Sequence, residues 1–419
     1  MTALLETPPV DAPEVVTTVA PPVPGRERLE SLDVFRGITI AGMLLVNNPG
    51  SWSAVYPALD HAPWNGWTPT DLIFPFFLFI VGITTSLSLS ARRARGASER
   101  EIVGQIIRRG LLIVVIGLLL NAFPFFWWGK IEGVPDPTLL QRIVWRAQHL
   151  RFAGVLQRIG LAYIAAALVT RRTTWRRQAG IIAALLLGYW AIMTLVPIPG
   201  TDGILGGAFL DDPGRTLAAW TDRAILGTDH IWVSSKSWDP EGPLSTLPAI
   251  ATAMLGVLAG SWIMRKERSL LERLAGLFGA GSLGMVAGLV WNWVFPINKN
   301  LWTSSYVLFT AGMAAVSLAT CIWLIDVNGI RAWSRPFVAF GLNPLVAFVG
   351  SGLMARIIAS LVKLPYHGKP TPLQAISYQM LFAGWLPPRF GSLLWALSFV
   401  ALWLFLAGVL YRRNVIIKV

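Results

Sequence analysis

Apolar stretches of about 20 residues recur along this chain, and each can cross the hydrocarbon core of a bilayer as a helix. Charged residues make up only 14% of the sequence, whereas soluble domains carry about 25%. The pattern predicts an all-α, polytopic transmembrane helical bundle. We count about ten spans, judged against the length that a bilayer requires, at residues 33–48, 70–91, 104–126, 152–170, 178–197, 244–264, 274–295, 302–325, 336–357 and 391–411.

Arginine and lysine clusters lie between alternate spans, which indicates the orientation of the bundle. All of them fall on one side of the membrane if the N-terminus is cytoplasmic, as the positive-inside rule requires, so both termini are predicted inside. The formal net charge of +13 is concentrated in these clusters, and we therefore expect no nucleic-acid partner. The clusters are Arg26 with Arg28, Arg92 to Arg95, Arg171 to Arg177, Arg265 to Arg268, Arg331 with Arg335, and Arg412 with Arg413.

The domain organisation predicted from composition is simple. Residues 1–27 are rich in Pro, Val and Thr and lack a basic segment ahead of an apolar one, so they are predicted to be a disordered cytoplasmic tail rather than a signal peptide. Residues 28–419 form the transmembrane domain. The single Cys321 excludes an intramolecular disulfide and a cysteine metal site.

The loops opposite the basic clusters contain all four histidines, and His61 is the strongest candidate for catalysis. A histidine side chain can take and release a proton near neutral pH, and the amide of Asn47 could stabilise an oxyanion. The alternative is structural: Asn47 ends a helix and His61 lies at the membrane interface. The other histidines lack the spacing of metal ligands, so no metal is predicted.

Asp71 has two possible roles. Thr68, Pro69 and Asp71 have the arrangement of a helix N-cap, a first-turn proline and an acidic third residue. Carboxylates within membrane segments are also usually functional, and Asp71 could orient His61 or hold a substrate hydroxyl. The sequence leaves both roles open.

Three further residues lie within predicted spans and are candidates for binding a cofactor. Arg36 could form an ion pair or extend to the membrane surface, or it could hold a phosphate. Arg158 lies too deep in its span to be a loop charge. Asn343 precedes Pro344 at a predicted helix break, and broken helices normally line a cavity.

Polar residues on the His61 side form a candidate substrate-binding set. They enter the sixth and eighth spans or surround His61, where capping and interfacial anchoring are the structural alternatives. Because these residues all lie on one side of the membrane, they could line a shared polar cavity. The set is Asn48, Trp64, Asp239, Glu241, Lys299 and Asn300.

The chain resembles the transmembrane acyltransferases typified by heparan-α-glucosaminide N-acetyltransferase. The resemblance extends over about residues 28–411. It rests on the order and spacing of SLDVFRG, VNN, HAPWNG, TDLIFPFFLFIVG, VLQRIGLAY, DPEG, TLPA, NKNLW and SSY.

This resemblance implies an enzyme that takes acetyl from cytosolic acetyl-CoA and transfers it to the amine of a glucosamine-type sugar on the far side. The family's key histidine and asparagine correspond to His61 and Asn47, and a homodimer is expected. The chain resembles a bacterial protein of the inner membrane, in contact with lipid. Two alternatives remain: a transporter of amino sugars or cell-wall fragments, and a polysaccharide O-acyltransferase.

Overall fold

The computed structural model describes residues 29–417, so the predicted tail at 1–27 lies outside the described residues. Within that range the chain forms α-helices and one short antiparallel hairpin, β1 (Lys363–Tyr366) with β2 (Lys369–Pro372). The helices are α1 (Glu30–Asn47), α2 (Pro69–Ala94), α3 (Glu99–Ala122), α4 (Leu139–Gln148), α5 (Val155–Thr170), α6 (Trp175–Leu195), α7 (Leu217–Leu226), α8 (Thr246–Ile263), α9 (Leu270–Trp291), α10 (Ser304–Ile322), α11 (Arg335–Leu342), α12 (Pro344–Arg356), α13 (Leu373–Tyr378) and α14 (Pro388–Arg412).

Eight helical segments in the described range are long and apolar enough to cross a membrane. They are α2, α3, α6, α8, α9, α14, α10 continued to Val327 and α12 continued to Leu361. Helix α5 is apolar but shorter, with 16 residues. The predicted all-α transmembrane bundle is therefore confirmed, while the count of about ten spans and the side of the termini stay predictions.

Glycines let several of these helices pack backbone against backbone. A Cβ on Gly82 of α2 would lie 1.9 Å from the carbonyl oxygen of Ala253 in α8, and one on Gly256 of α8 would lie 2.0 Å from that of Phe79. Such close approach is typical of membrane helices, where van der Waals packing replaces the hydrophobic driving force. Helices α2 and α8 thus form a rigid core beside the candidate site.

Successive long helices run in alternate directions, so the bundle has two chemically different ends. At the basic end, Glu99 at the start of α3 pairs with Arg171 after α5 at 2.9 Å and with Arg93 near the end of α2 at 3.3 Å. The opposite end, called the loop end, carries the connections 48–68, 123–154, 196–245 and 292–303. His61 lies at the loop end.

Candidate functional site

Two loops are joined at the loop end, and their junction determines where the candidate catalytic residues lie. The backbone N–H of Gly66 donates to the carbonyl of Ile297 at 2.7 Å. The side chain of Asn298 donates to Asn65 Oδ1 at 3.0 Å. The loop that precedes α2 is therefore fixed against the loop that precedes α10.

The second loop is itself tightly folded around Asn298, which is fully buried. Asn298 Oδ1 accepts from the backbone N–H of Leu301 at 2.9 Å. The backbone N–H of Asn298 donates to Thr303 Oγ1 at 3.0 Å. Trp302 is held at a φ of 52°, a region that non-glycine residues rarely occupy and that often accompanies function. Lys299 thus projects from an ordered turn.

His61 and Asp71 form a hydrogen-bonded pair at this junction. His61 Nδ1 lies 2.7 Å from Asp71 Oδ1; the imidazole is 42% exposed and the carboxylate is 1% exposed. Because an ionised carboxylate can only accept, the ring proton lies on Nδ1 and the Nε2 lone pair is left to accept a proton. The arrangement is that of a base oriented by a carboxylate.

The structure shows the helix capping predicted for Asp71 and a hydrogen bond between its carboxylate and His61, with a different oxygen for each, while a role of Asp71 in catalysis stays a prediction. Oδ2 accepts from the backbone N–H of Thr68 and of Ala62, each at 3.0 Å, and the capping box at the start of α2 is complete. Oδ1 is left for His61. Helix capping therefore fixes the carboxylate that fixes the imidazole.

Lys299 completes what we call the histidine cluster (His61, Asp71 and Lys299). Its Nζ lies 3.0 Å from Nδ1 and 3.1 Å from Nε2 of His61, and 3.8 Å from Asp71 Oδ1. Near-equal distances to both ring nitrogens place the ammonium over the ring face, out of line with either lone pair. Burial lowers the pKa of Lys299, and the charge of Asp71 acts in the opposite direction.

A second group of charges, the arginine cluster (Arg151, Asp239 and Glu241), lies at the same end. Arg151 donates to both oxygens of Asp239 at 2.8 and 2.6 Å and to Glu241 at 2.5 Å. Both carboxylates are almost entirely buried. The residues predicted to bind substrate are thus engaged in a buried ion-pair network, and their contact with an acceptor stays a prediction.

Arg158 and Asp222 extend the arginine cluster around Gly242. Arg158 donates to the carbonyl of Gly242 at 3.3 Å, and its guanidinium lies over the ring of Trp302 at 5.0 Å. Asp222 accepts from the backbone of Asp239 at 2.8 Å, and burial raises its pKa to about 7. Arg158 therefore lies at the loop end, whereas Arg36 lies near the start of α1, and a contact of Arg158 with the cofactor stays a prediction.

The remaining predicted residues at the loop end have separate positions. Asn48 bonds to the carbonyl of Leu44 at 2.7 Å, so it caps α1. Asn47 is exposed and makes no side-chain hydrogen bond to any residue in the range 29–417, and Asn300 is half-buried. Trp64 donates to the carbonyl of Leu210 at 2.8 Å and packs edge-on against Trp238, which joins the His61 loop to the connection 196–245.

At the basic end, Arg36 donates to Asp33 at 3.2 Å and to the carbonyl of Gly341 at 2.9 Å. A cleft of about 450 Å³ beside it is lined by Asp33, Arg331 and Arg335 among others. The predicted helix break is confirmed, since α11 ends at Leu342 and α12 begins at Pro344. The Asn343 amide between them bonds to Val415 and Ile417, each at 2.9 Å. The structure thus gives Asn343 a role in holding the C-terminal segment.

The sequence interpretation missed four residues of the site. Arg151 and Asp222 lie in loop or short-helix segments with no local motif, and their partner Asp239 is 88 and 17 positions away, respectively. Asn65 and Asn298 are each beside a predicted residue, so the asparagine-containing turns were the available signal. Their pairing is a tertiary contact over 233 positions that spacing alone does not show.

Comparison with known proteins shows which family this chain resembles. Residues 28–217 match the family model of the catalytic region of heparan-alpha-glucosaminide N-acetyltransferase. Heparan-alpha-glucosaminide N-acetyltransferase of Homo sapiens is 28% identical, and that of Mus musculus is 27% identical. Each match covers 94% of this chain and 60% of the relative. The resemblance is therefore confirmed, and the chain spans about 60% of the length of the curated relatives it matches.

Proposed function

We propose that this chain is a membrane-bound acetyltransferase that moves acetyl from acetyl-CoA at the basic end to the amine of a glucosamine-type sugar at the loop end. The observation that carries the proposal is the half-exposed His61 imidazole, held by the buried carboxylate of Asp71 at 2.7 Å. The relatives whose names specify N-acetyl transfer to a glucosaminide support this acceptor class.

In the proposed reaction His61 acts as a general base. The acceptor nitrogen attacks the thioester carbonyl and forms the C–N bond, the C–S bond breaks, and CoA leaves as a thiolate. Nε2 of His61 takes the proton from the nitrogen and returns it to the thiolate sulfur. In the alternative route, acetyl is first transferred to His61 and then to the acceptor. This acetyl-histidine intermediate predicts ping-pong kinetics.

The donor is proposed to enter at the basic end, which the positive-inside rule assigns to the cytoplasm. CoA is large and anionic, so its phosphates stay outside the hydrocarbon while the pantetheine arm extends inward. Arg36 and the arginines of the neighbouring cleft are suited to phosphate, because guanidinium groups bind it with charge-assisted hydrogen bonds. The proposed setting is a bacterial inner membrane.

Around His61, the acceptor is proposed to contact the exposed surface of the junction rather than the arginine cluster. Trp64 and Asn300 are half-buried there, and Asn47 is exposed at the end of α1. A tryptophan ring suits the apolar face of a sugar, and asparagine suits its hydroxyls. Asp239 and Glu241 would need to release Arg151 before they could bind substrate directly.

The experiment uses purified protein in detergent with acetyl-CoA and glucosamine. We expect release of free CoA that depends on glucosamine, and a product that mass spectrometry identifies as an amide. An ester product would favour the O-acyltransferase alternative. If no CoA is released and reconstituted vesicles carry labelled sugar across unmodified, the transporter alternative replaces the proposal.

A further inference from the structure

Lys299 is placed in the histidine cluster by three independent contacts that do not involve its own side chain. Asn298 ties its turn together, the Asn65–Asn298 bond links that turn to the His61 loop, and the Gly66–Ile297 bond sets their register. The Lys299 side chain is only 18% exposed. Its ammonium is thus held over the imidazole by the fold and does not reach it by chance.

Charged groups from several parts of the chain surround the pair of His61 and Lys299. Asp60 accepts from the backbone of His61 at 2.8 Å, and Asp71 of α2 accepts from its ring. Glu241 and Arg158 act on Lys299 from further away. Asp71 favours an imidazolium on His61, whereas the ammonium of Lys299 at 3.0 Å opposes it by like-charge repulsion.

We propose that Lys299 is a positioning residue that keeps His61 unprotonated and correctly oriented for proton acceptance. This inference rests on the proposed function. An ammonium 3.0 Å from the ring repels a second positive charge there, and its position over the ring face leaves Nε2 open to the acceptor. An ammonium beside the base is also a poor binding group for a second amine, which argues against the acceptor contact predicted from the sequence.

The test is the pH dependence of kcat/KM for glucosamine in wild-type protein and in Lys299→Met and Lys299→Arg. Removing the charge should move the acidic limb of the measured profile to higher pH, because the Asp71 carboxylate then acts on the ring unopposed. The rate should therefore fall most at low pH, and the KM for acetyl-CoA should not change. Lys299→Arg keeps the positive charge, so the acidic limb of its pH profile should stay at the wild-type position.

Rescue by chemical modification separates charge from folding. Lys299→Cys in a Cys321→Ala background, treated with bromoethylamine, regains an ammonium at nearly the length of lysine. The acidic limb should return to its wild-type position after treatment. This variant also replaces Lys299→Met if the latter does not fold.

Two results would overturn the inference and leave the proposed function intact. One is an equal loss of rate at every pH, which indicates a structural role. The other is a raised KM for glucosamine with an unmoved limb, which indicates acceptor binding. Wild-type protein that releases no CoA would instead overturn the proposed function, and this inference with it.

Discussion

The two charged clusters at the loop end are built from similar residues but differ in how completely they are satisfied. In the arginine cluster, one guanidinium engages two carboxylates that are 0% and 8% exposed. In the histidine cluster, a 42% exposed imidazole keeps a nitrogen free for a proton. The difference indicates that the first cluster holds the loops in place and the second is available for chemistry.

The largest expected effect is on stability, in the arginine cluster. Arg151→Met removes the cation that two buried carboxylates share, although the backbone N–H of Glu241 still donates to Asp239. Breaking a buried pair in this way costs about 3–5 kcal/mol. Unfolding of the detergent-solubilised protein measures it. The exposed pair of Arg268 with Glu272 supplies the control, since water screens the two charges and Arg268→Met should change the free energy of unfolding far less. An equal loss of unfolding free energy in Arg151→Met and Arg268→Met would show that the buried and exposed pairs do not differ in their contribution to stability.

A pH effect on stability should also come from the arginine cluster, through Asp222. Burial raises its folded pKa to about 7 from 3.8, so between these values the folded state binds a proton that the unfolded state lacks. Stability due to Asp222 is therefore present at low pH and is lost as pH rises towards about 7.

Asp222→Asn should flatten that slope, because its amide is neutral throughout. Unfolding midpoints on both sides of this window, compared with those of Asp229→Asn at an exposed position, measure the change. An unchanged slope in Asp222→Asn would show that the carboxyl titrates normally.

The histidine cluster should respond in activity rather than stability. His61→Ala should lower turnover by about 10²-fold or more, the range for a lost general base, while unfolding changes little. His367→Ala removes an exposed histidine from the turn of the hairpin and should leave turnover near wild type. Turnover of His61→Ala equal to that of His367→Ala would exclude His61 as the base.

A smaller effect is expected at the basic end. Arg36→Ala should raise the KM for acetyl-CoA by the equivalent of about 1.5–3 kcal/mol, the value of one charge-assisted hydrogen bond, with the KM for glucosamine unchanged. Steady-state kinetics with each substrate varied separately test this. Equal KM values for acetyl-CoA in folded Arg36→Ala and wild type would leave Arg36 as a helix contact only.

The comparison also shows what sequence reasoning can and cannot reach. The bundle, the break at Asn343 and the capping by Asp71 follow from local patterns of apolar residues, Pro and N-cap residues. The partners of Arg151 and His61 do not, since Asp239 is 88 positions from Arg151 and Lys299 is 238 positions from His61. Such pairs depend on tertiary packing, and a local sequence pattern gives no information about it.

Arg158 shows how far the depth of a residue in its span can be used. The depth predicts burial, and Arg158 is 1% exposed. It is the fourth residue of α5 and Arg36 is the seventh of α1, and because these helices start at opposite ends of the bundle, the two arginines lie at different ends. A contact of either arginine with the cofactor stays a prediction.

Donor and acceptor are proposed to meet from opposite ends of the bundle, and transfer across a sealed membrane tests this proposal most directly. Protein is reconstituted in vesicles of known orientation, with acetyl-CoA only on the side of the basic end and glucosamine only on the side of the loop end. We predict acetylated glucosamine on the glucosamine side, and none with His61→Ala. Transfer that requires both substrates on the side of the basic end would contradict a reaction in which they arrive from opposite ends.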